Sequence, residues 1–319
     1  MDKLDLIIIG AGPSGLACSI EAAKKGLHHL VIDKGSVADA IRRFPGEMTF
    51  FSTPELLEIG GVPFLAAGFR PTRAECVRYY QMIARHFNLP IHQGEVVTRL
   101  QKREDGFEVV TSSAGYWARC VVDATGYFDH PNKFSVEGSN LGKVRRYYDE
   151  PYLWSGRSVA VVGGKNSAVE TALDLFRNGA RVTLIHRGAA LSQGVKYWIL
   201  PDIENRIKAG EIRAMFETTV RKITPQSIVV EGKHHEEFQN DAVFVMIGYT
   251  PDAALLREVG VRIDPETLGP VHDPKTMETN VPGVFVAGSI AAGRYNNKIF
   301  IENGRAHGRL IVEAIAALH

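Results

Sequence analysis

A glycine-rich turn near the start of the chain restricts most strongly how this sequence can fold. The apolar run Asp5–Ile9 leads into Gly10-Ala11-Gly12-Pro13-Ser14-Gly15, and a helix-like stretch follows. The G-x-G-x-x-G spacing is explained if Gly10 permits a tight turn, Gly12 lets a pyrophosphate approach the backbone, and Gly15 packs the helix close to the strand. The free N–H groups at the start of that helix would then face the phosphates.

An acidic residue follows at the distance at which dinucleotide sites bind the ribose. A second apolar run, Leu30–Ile32, ends at Asp33, about 20 residues after the turn. A glycine pattern alone is weak, but strand, turn, helix and distal carboxylate together predict a dinucleotide-binding unit.

The same order of elements recurs in the middle of the chain. An apolar run at 157–162 leads into Gly163-Gly164-Lys165-Asn166-Ser167-Ala168, then a helix pattern and the strand-like Arg181–Ile185. The repeat predicts an α/β protein with two Rossmann-like dinucleotide-binding domains, an FAD/NAD(P)-binding fold with the second domain inserted in the first. The expected boundaries are 1–126 with 251–319 for the first domain and 127–250 for the second.

The second strand of each unit ends in residues of opposite charge. Asp33 closes the first, whereas His186 and Arg187 close the second. An acid favours a free ribose 2′-hydroxyl and a basic pair favours a 2′-phosphate, so the second site is expected to prefer NADPH. The alternative is that the basic pair is only a solvated strand end. Lys165 replaces the middle glycine and offers charge to a phosphate instead.

Several cationic and aromatic segments add weaker expectations. Lys196, Arg206 and Arg213 are further candidates for the 2′-phosphate. The segment 44–55 is either a loop covering a flat ligand or an aromatic hinge that packs on the core. The segment 131–154, with Tyr147, Tyr148, Tyr152 and Trp154, is expected to be a connector.

The secondary-structure pattern around these motifs is mixed. A helix at 72–87 is expected to be capped by Thr72. Strands at 91–100, 106–111 and 116–123 would form a small inserted antiparallel segment. The last of these leads into Ala124-Thr125-Gly126, whose kinked backbone would approach a flavin nucleotide. A final helix is predicted at about 301–318, and N–H groups of the segment 297–304 would face the flavin ring.

Composition excludes several other functions. The net charge of +1 over 319 residues gives no reason to expect nucleic acid as a partner. No apolar run approaches ~18 residues and no signal-peptide core is present, so no membrane partner and a cytoplasmic location are expected. Cys18, Cys76 and Cys120 form no C-x-x-C, which excludes a local redox dithiol; each is expected to be a small core residue.

Three segments, Ala124-Thr125-Gly126, His186-Arg187 and residues 282–288, resemble those of the two-domain, thioredoxin-reductase-like flavoproteins. More narrowly, residues 48–56, 163–168, 299–305 and 307–308 are similar to the YpdA-type bacillithiol disulfide reductases. The resemblance covers the whole chain and implies FAD in the first domain, NADPH in the second, and a homodimer.

Three departures from the family pattern bear on the acceptor. The C-x-x-C of thioredoxin reductases is missing, and Ser289 stands where the wider family often has an acid. Ser14 stands where the YpdA-type family usually has cysteine, and a serine hydroxyl cannot form a mixed disulfide. No residue is therefore assigned as catalytic.

The predicted function is an FAD-dependent NADPH oxidoreductase. Hydride would pass from NADPH to the flavin and on to an acceptor, expected to be a low-molecular-weight disulfide such as bacillithiol disulfide. Two alternatives stay open: a reductase of a small redox protein, resembling ferredoxin– or flavodoxin–NADP reductases, and a low-turnover flavin and NADPH redox sensor.

The residues expected to contact the two cofactors lie in the turns and at the strand ends of each domain. Those for FAD are Gly10, Gly12, Pro13, Ser14, Gly15, Asp33, Lys34, Phe51, Val97, Ala124, Thr125, Gly126, Gly288, Ser289, Lys298 and Ile299. Those for NADPH are Gly163, Gly164, Lys165, Asn166, Ser167, Ala168, His186, Arg187 and Gly248.

Overall fold

The computed structural model describes residues 3–148, 150–295 and 298–317. Its strands are β1 (Lys3–Ile9), β2 (His29–Asp33), β3 (Ile91–Gln93), β4 (Val97–Arg103), β5 (Gly106–Thr111), β6 (Gly115–Asp123), β7 (Val144–Arg145), β8 (Ser158–Val162), β9 (Arg181–Ile185), β10 (Arg213–Met215), β11 (Thr218–Ile223), β12 (Ser227–Gly232), β13 (Glu236–Gln239), β14 (Ala242–Val245) and β15 (Val284–Val286). Its helices are α1 (Pro13–Lys24), α2 (Asp39–Arg42), α3 (Pro54–Leu57), α4 (Arg73–His86), α5 (Asn166–Arg177), α6 (Leu200–Lys208), α7 (Ala254–Glu258), α8 (Ile301–Gly304) and α9 (His307–Ala316), with 3₁₀ turns at Tyr152–Trp154 and Gly288–Ala292.

The described residues divide into two compact units, and the second is inserted in the first. One unit comprises the described parts of 1–42, 49–130 and 249–319, and the other comprises 43–48 and 131–248. Residues 43–48 group with the second unit, and residues 127–130 and 249–250 with the first, which differs from the predicted boundaries at 127 and 250.

The first unit is built on a seven-stranded sheet in the order β3-β2-β1-β6-β5-β4, with β15 also paired to β6. β6 is long enough to serve two partners: its first half pairs antiparallel with β5 and its second half parallel with β15. The predicted antiparallel segment is therefore not a separate insertion, because it extends the main sheet. Leu6–Ile9 of β1 are buried, as expected of a central parallel strand.

The single strand predicted at 91–100 is wrong. Gly94 adopts a left-handed conformation with φ +74° and separates β3 from β4. The N–H groups of Gly94 and Glu95 donate to the carbonyls of Gly35 and Asp33, both at 3.0 Å. Those bonds draw the chain out of the strand and onto the loop that follows β2.

The helices of the first unit follow their local sequence signals, except at the carboxyl end. Thr72 caps α4 in a reciprocal capping box with Glu75, as predicted. The predicted continuous helix at 301–318 is wrong, because α8 ends at Gly304 and α9 begins at His307. Leu318 and Asn297, which belonged to the predicted carboxyl-terminal segments, lie outside the described residues.

The second unit has a parallel five-stranded sheet, β10-β9-β8-β14-β7, and a three-stranded antiparallel sheet, β11-β12-β13. The side chains of the five-stranded sheet contribute to two separate cores, as the alternation along its strands requires. Val159 and Val161 belong to the core formed with α5, while Ala160 belongs to the core formed with β11 and β12.

The predicted connector at 131–154 is part of the core of this unit. Tyr148 and Trp154 are buried and make edge-to-face contacts with Phe244, at centroid distances of 5.4 and 5.3 Å. Tyr148 also donates to Asp174 of α5 at 2.6 Å. Aromatic rings of this size stabilise a sheet by burial, so the segment anchors the unit. Among the described helices, none has the length and hydropathy that a membrane span requires.

Candidate functional site

The predicted FAD residues of the first unit converge at one edge of its sheet. The parallel strands β2, β1, β6 and β15 are neighbours, so the residues that follow them come together at their carboxyl ends. Because β2 and β6 lie on opposite sides of β1, this edge contains the topological switch point at which α/β proteins bind nucleotides.

The three fingerprint glycines differ in what a side chain at each position would meet. Gly10 has φ +111°, and a Cβ there would lie 2.6 Å from the Ala124 carbonyl oxygen. A Cβ on Gly15 would overlap the Gly10 carbonyl, whereas a Cβ on Gly12 would meet nothing within 4 Å. Gly10 and Gly15 are thus required by the fold, while Gly12 borders open space. That space is what a pyrophosphate needs, so these residues fit FAD.

Asp33 ties the fingerprint turn to the end of β2. Its two carboxylate oxygens accept the N–H of Ala11 at 2.6 Å and of Gly35 at 2.7 Å. Burial raises the pKa of this carboxyl, against the effect of those two hydrogen bonds. Lys34 forms an ion pair with Asp129 at 3.0 Å, so its ammonium is already neutralised within the protein.

Asp123, which the sequence analysis did not select, holds the Ala124-Thr125-Gly126 turn. Its Oδ1 accepts both the N–H of Thr125 at 3.0 Å and its hydroxyl at 2.7 Å. The side chain is 1% exposed, and burial raises the pKa of this carboxyl to about 6. Thr125 therefore uses its polar groups inside the turn. A carboxylate at the end of the apolar strand β6 was the sequence feature that could have revealed this role.

The turn after β15 is packed against the fingerprint helix. Gly288 has φ +74°, and a Cβ there would lie 2.5 Å from Ser14 Oγ. Its N–H donates to Nδ1 of His307 at 3.1 Å. Ser289 Oγ would lie 3.5 Å from a Cβ on Gly126, so these two predicted residues are neighbours. The turn after β15 thus joins the site through contacts that no local motif encodes.

The remaining predicted FAD residues lie at the periphery. Val97 begins β4, close to the segment that bonds to the loop after Asp33. Ile299 packs against Gly304, whereas the Lys298 ammonium lies 4.8 Å from the centroid of the Tyr295 ring. Phe51 is 57% exposed. None of these contacts joins Lys298 or Phe51 to the glycine turns.

The aromatic loop is both packed and exposed, so neither sequence alternative describes it fully. Phe50 is buried in the core, whereas the adjacent Phe51 faces outward under the guanidinium of Arg70, 5.2 Å from the ring centroid. Ser52 donates to Oε2 of Glu302 at 2.7 Å. That bond attaches the loop to α8.

The second unit repeats the geometry of the first. β8 lies between β9 and β14. Gly163 has φ +147°, and a Cβ added there would meet the carbonyl of Met246, which follows β14. Gly248, with φ +88°, ends the same segment, and its carbonyl accepts the N–H of Asn132 at 3.0 Å. In each unit, therefore, the first glycine of the turn lies beside a backbone carbonyl that follows a neighbouring parallel strand.

The second turn differs at its next two residues. A Cβ on Gly164 would lie 2.5 Å from the His186 ring, so this glycine gives space to a side chain of the protein itself. Lys165 is exposed and is the N-cap residue of α5. Burial and the neighbouring Arg187 lower the pKa of His186. His186 thus packs as a neutral ring, and the positive charge expected of the pair falls on Arg187.

The cationic candidates separate into two groups. Lys196 is paired with Glu170, Arg206 with Asp202 and Glu211, and Arg213 with Glu236. Within residues 3–148, 150–295 and 298–317, Arg187 and Lys165 make no ion pair with a carboxylate. Because carboxylates already pair with the other three, Arg187 and Lys165 are the better candidates for a phosphate.

The residues that follow Arg187 are fastened to the second turn. The N–H of Ser192 donates to the Gly164 carbonyl at 2.9 Å. The Asn166 side chain donates to the Gly194 carbonyl at 2.9 Å and accepts the N–H of Lys196 at 2.8 Å. Asn166, predicted to bind the nucleotide, thus uses its side chain to shape this loop.

The three cysteines are buried, as predicted, and none forms a disulfide. Burial raises the pKa of the Cys18 thiol to about 12 and that of Cys120 to about 11. Burial also raises the pKa of Cys76. Thiols of this kind are not nucleophiles at neutral pH.

Comparison with known proteins gives full-length similarities. A family model described as pyridine nucleotide-disulphide oxidoreductase matches residues 7–288. Bacilliredoxin reductase Bdr of Bacillus subtilis (strain 168) is 44% identical over 313 residues, which cover 97% of each chain. These similarities extend through both units.

Two solved structures have the same fold along their whole length. Bacillithiol disulfide reductase Bdr (YpdA) from Staphylococcus aureus has a TM-score of 0.96 at 38% identity, covering 100% of this chain and 99% of that one. The corresponding protein from Bacillus cereus has a TM-score of 0.97 at 41% identity, covering 100% of both. The predicted fold class, two Rossmann-like domains in an α/β protein, is confirmed.

Proposed function

Because the chain belongs to the pyridine nucleotide-disulphide oxidoreductase family, we propose that it transfers electrons from NADPH through FAD to a low-molecular-weight disulfide. Family membership makes it an oxidoreductase with FAD and NADPH as cofactors, and it confirms the resemblance to the YpdA-type reductases. The names of the two solved relatives favour bacillithiol disulfide as the acceptor.

One observation carries the assignment of the two cofactors to their units. Each unit has a glycine turn at the switch point among the parallel strands of its own sheet, but Asp33 follows one and Arg187 the other. FAD, when bound, accepts two electrons from NADPH and delivers them to the acceptor. The first turn would hold its pyrophosphate at Gly12, and Arg187 and Lys165 would hold the 2′-phosphate of NADPH.

The acceptor is reduced without a thiol relay from the protein. Ser14 has no sulfur, and its hydroxyl is packed against Gly288 and Gly304. Cys18, one helical turn further along α1, is fully buried. The acceptor disulfide would therefore take two electrons and two protons directly at the flavin and be released as two thiols. NADPH supplies a hydride and the solvent supplies the second proton.

We also propose a cytoplasmic homodimer. The family resemblance favours the dimer. A reducing compartment suits three cysteines that form no disulfide. Size-exclusion chromatography with light scattering tests the dimer directly.

Anaerobic titration of the purified protein with NADPH tests the proposal. We expect the protein to carry FAD, and its visible flavin absorbance to bleach with one equivalent of NADPH. A flavin that stays oxidised under excess NADPH would exclude reductase activity and favour a sensor.

An acceptor screen with the pre-reduced enzyme tests the disulfide. It compares bacillithiol disulfide, other low-molecular-weight disulfides, ferredoxin, flavodoxin and oxygen, for the wild type and for Ser14→Cys. We expect the wild type to reoxidise fastest with bacillithiol disulfide, and the variant to gain little because its side chain is packed. A large gain on disulfides confined to Ser14→Cys would mean that the native acceptor is not a disulfide.

A further inference from the structure

The Gly288 turn is held by a histidine that no motif assigned to the FAD site. His307 is the first residue of α9, and its Nδ1 accepts the N–H of Gly288 at 3.1 Å. An imidazole nitrogen accepts a hydrogen bond only when it carries no proton, so this contact requires the neutral ring with its proton on Nε2.

The position of His307 is determined by helix packing. A Cβ on Gly308 would lie 2.7 Å from the backbone of Ala17 and Cys18, so α9 crosses α1 at very close range. α1 begins with the fingerprint turn, and its Ser14 fills the space beside Gly288. His307 thus lies where α9, α1 and the turn after β15 meet.

On this geometry, and resting on the proposed FAD site, we propose that His307 is a positioning residue for FAD. Its neutral ring holds the Gly288 N–H, and thereby Ser289, in the conformation that FAD needs. Protonation of the ring breaks that bond, because Nδ1 then becomes a donor facing another donor. Protonation of His307 should therefore weaken FAD binding on acidification, separately from the titration of Asp123 in the neighbouring Ala124-Thr125-Gly126 turn.

The groups around His307 determine the pH range over which its hydrogen bond to Gly288 should be lost. Burial, with a smaller contribution from the neighbouring His272, lowers its pKa from 6.5 to about 4. α1 faces this region with the backbone of Ala17 and Cys18, and the Cys18 thiol is neutral. A ring released from the turn would bind a proton more readily than the held ring. The held, FAD-binding state is thus fully favoured above about pH 6.5 and loses this advantage as the pH falls toward 4.

Two variants separate hydrogen bonding from packing. In His307→Asn, Oδ1 lies near the position of Nδ1 and still accepts, but it does not titrate. In His307→Leu no acceptor is left for the Gly288 N–H. His235→Asn, at an exposed histidine in the second unit, is the matched control.

The measurement is the dissociation constant of FAD, followed by flavin fluorescence from pH 7.5 to 4. At pH 7.5 we expect His307→Leu to bind FAD about tenfold or more weakly, because a buried N–H loses its partner. His307→Asn should match the wild type at pH 7.5 and lose less affinity than it below pH 6.5. His235→Asn should follow the wild type throughout.

Contrary results are distinguishable. Wild-type affinity in His307→Leu, or a His307→Asn profile parallel to that of the wild type, would overturn the proposal. If His307→Leu does not fold, the His307→Asn profile decides alone. A wild-type protein that takes up no FAD at any pH would refute both this inference and the proposed function. A wild type that NADPH reduces, with unchanged profiles in the variants, would refute only the role of His307.

Discussion

The hydroxyl of Ser14 occupies the space that a side chain at Gly288 would need, since a Cβ added to Gly288 would lie 2.5 Å from Ser14 Oγ. The two residues are far apart in sequence, yet this contact joins the fingerprint helix α1 to the turn after β15. Gly304 of α8 approaches the same hydroxyl, with its Cβ position 3.1 Å away. Position 14 is therefore a packing position in this protein.

Replacement of Gly288 should disturb both the fold and the cofactor site. Gly288→Ala adds a Cβ against Ser14 at a residue with φ +74°, so we expect a loss of about 1–3 kcal/mol of stability and reduced FAD content. Adding Ser14→Gly to the Gly288→Ala variant should restore part of the lost stability, because it removes the clash. Thermal unfolding measures both variants. Gly142→Ala, where a Cβ would meet nothing, is the control, and equal stability of Gly288→Ala and Gly142→Ala would contradict the prediction.

Two substitutions in the fingerprint should separate FAD binding from folding. Gly12→Ala places a Cβ in open space, so the protein should fold normally but bind FAD at least about tenfold more weakly. Gly15→Ala places a Cβ on the Gly10 carbonyl and should prevent correct folding. Circular dichroism and flavin content separate the two effects. Normal FAD content in Gly12→Ala would mean that the pyrophosphate lies elsewhere.

Arg187 should determine the preference for NADPH over NADH. Loss of a charge-assisted contact to the 2′-phosphate costs about 1.5–3 kcal/mol, or roughly ten- to a hundredfold in affinity. Arg187→Ala should therefore weaken NADPH binding by that factor and leave NADH nearly unchanged. Anaerobic titrations with both nucleotides measure the ratio. Arg213→Ala is the control, because Glu236 already pairs that residue at 2.5 Å. The same loss in both variants would refute the assignment.

Asp123→Asn should stabilise the FAD-free protein at neutral pH. The pKa of Asp123 is about 6 in the folded protein against 3.8 in a free side chain, so its ionisation disfavours the fold as the pH rises through that interval. Asparagine keeps the Oδ1 acceptor for Thr125 without the charge. We expect a gain of about 1–3 kcal/mol at pH 7.5 that disappears below pH 4.

Urea unfolding at several pH values tests this sign. Asp123→Leu is the companion variant: it leaves the Thr125 N–H unpartnered and should be less stable than the wild type at every pH. If Asp123→Asn is less stable than the wild type at pH 7.5, the buried carboxylate is ionised at no cost, and the assigned pKa is wrong.

Features encoded by neighbouring residues could be predicted from the sequence. The two glycine turns, the acid after one and the basic pair after the other, and the Thr72 cap of α4 all depend on spacing within a short segment. Turn geometry and helix initiation are local, so the α/β fold class and the Thr72 cap at the start of α4 followed from the motifs alone. The list of cofactor contacts stays a prediction.

The tertiary structure decided which residues serve those turns. Ser14 and His307 act on Gly288 because β1, β6 and β15 are adjacent and because α9 crosses α1. Lys196 and Arg213 were weaker candidates than Arg187 in the sequence, and folding brought the distant carboxylates of Glu170 and Glu236 to them. Whether Lys196 or Arg213 is already paired with a carboxylate depends on residues that are distant in sequence. The spacing of a motif carries no information about those residues.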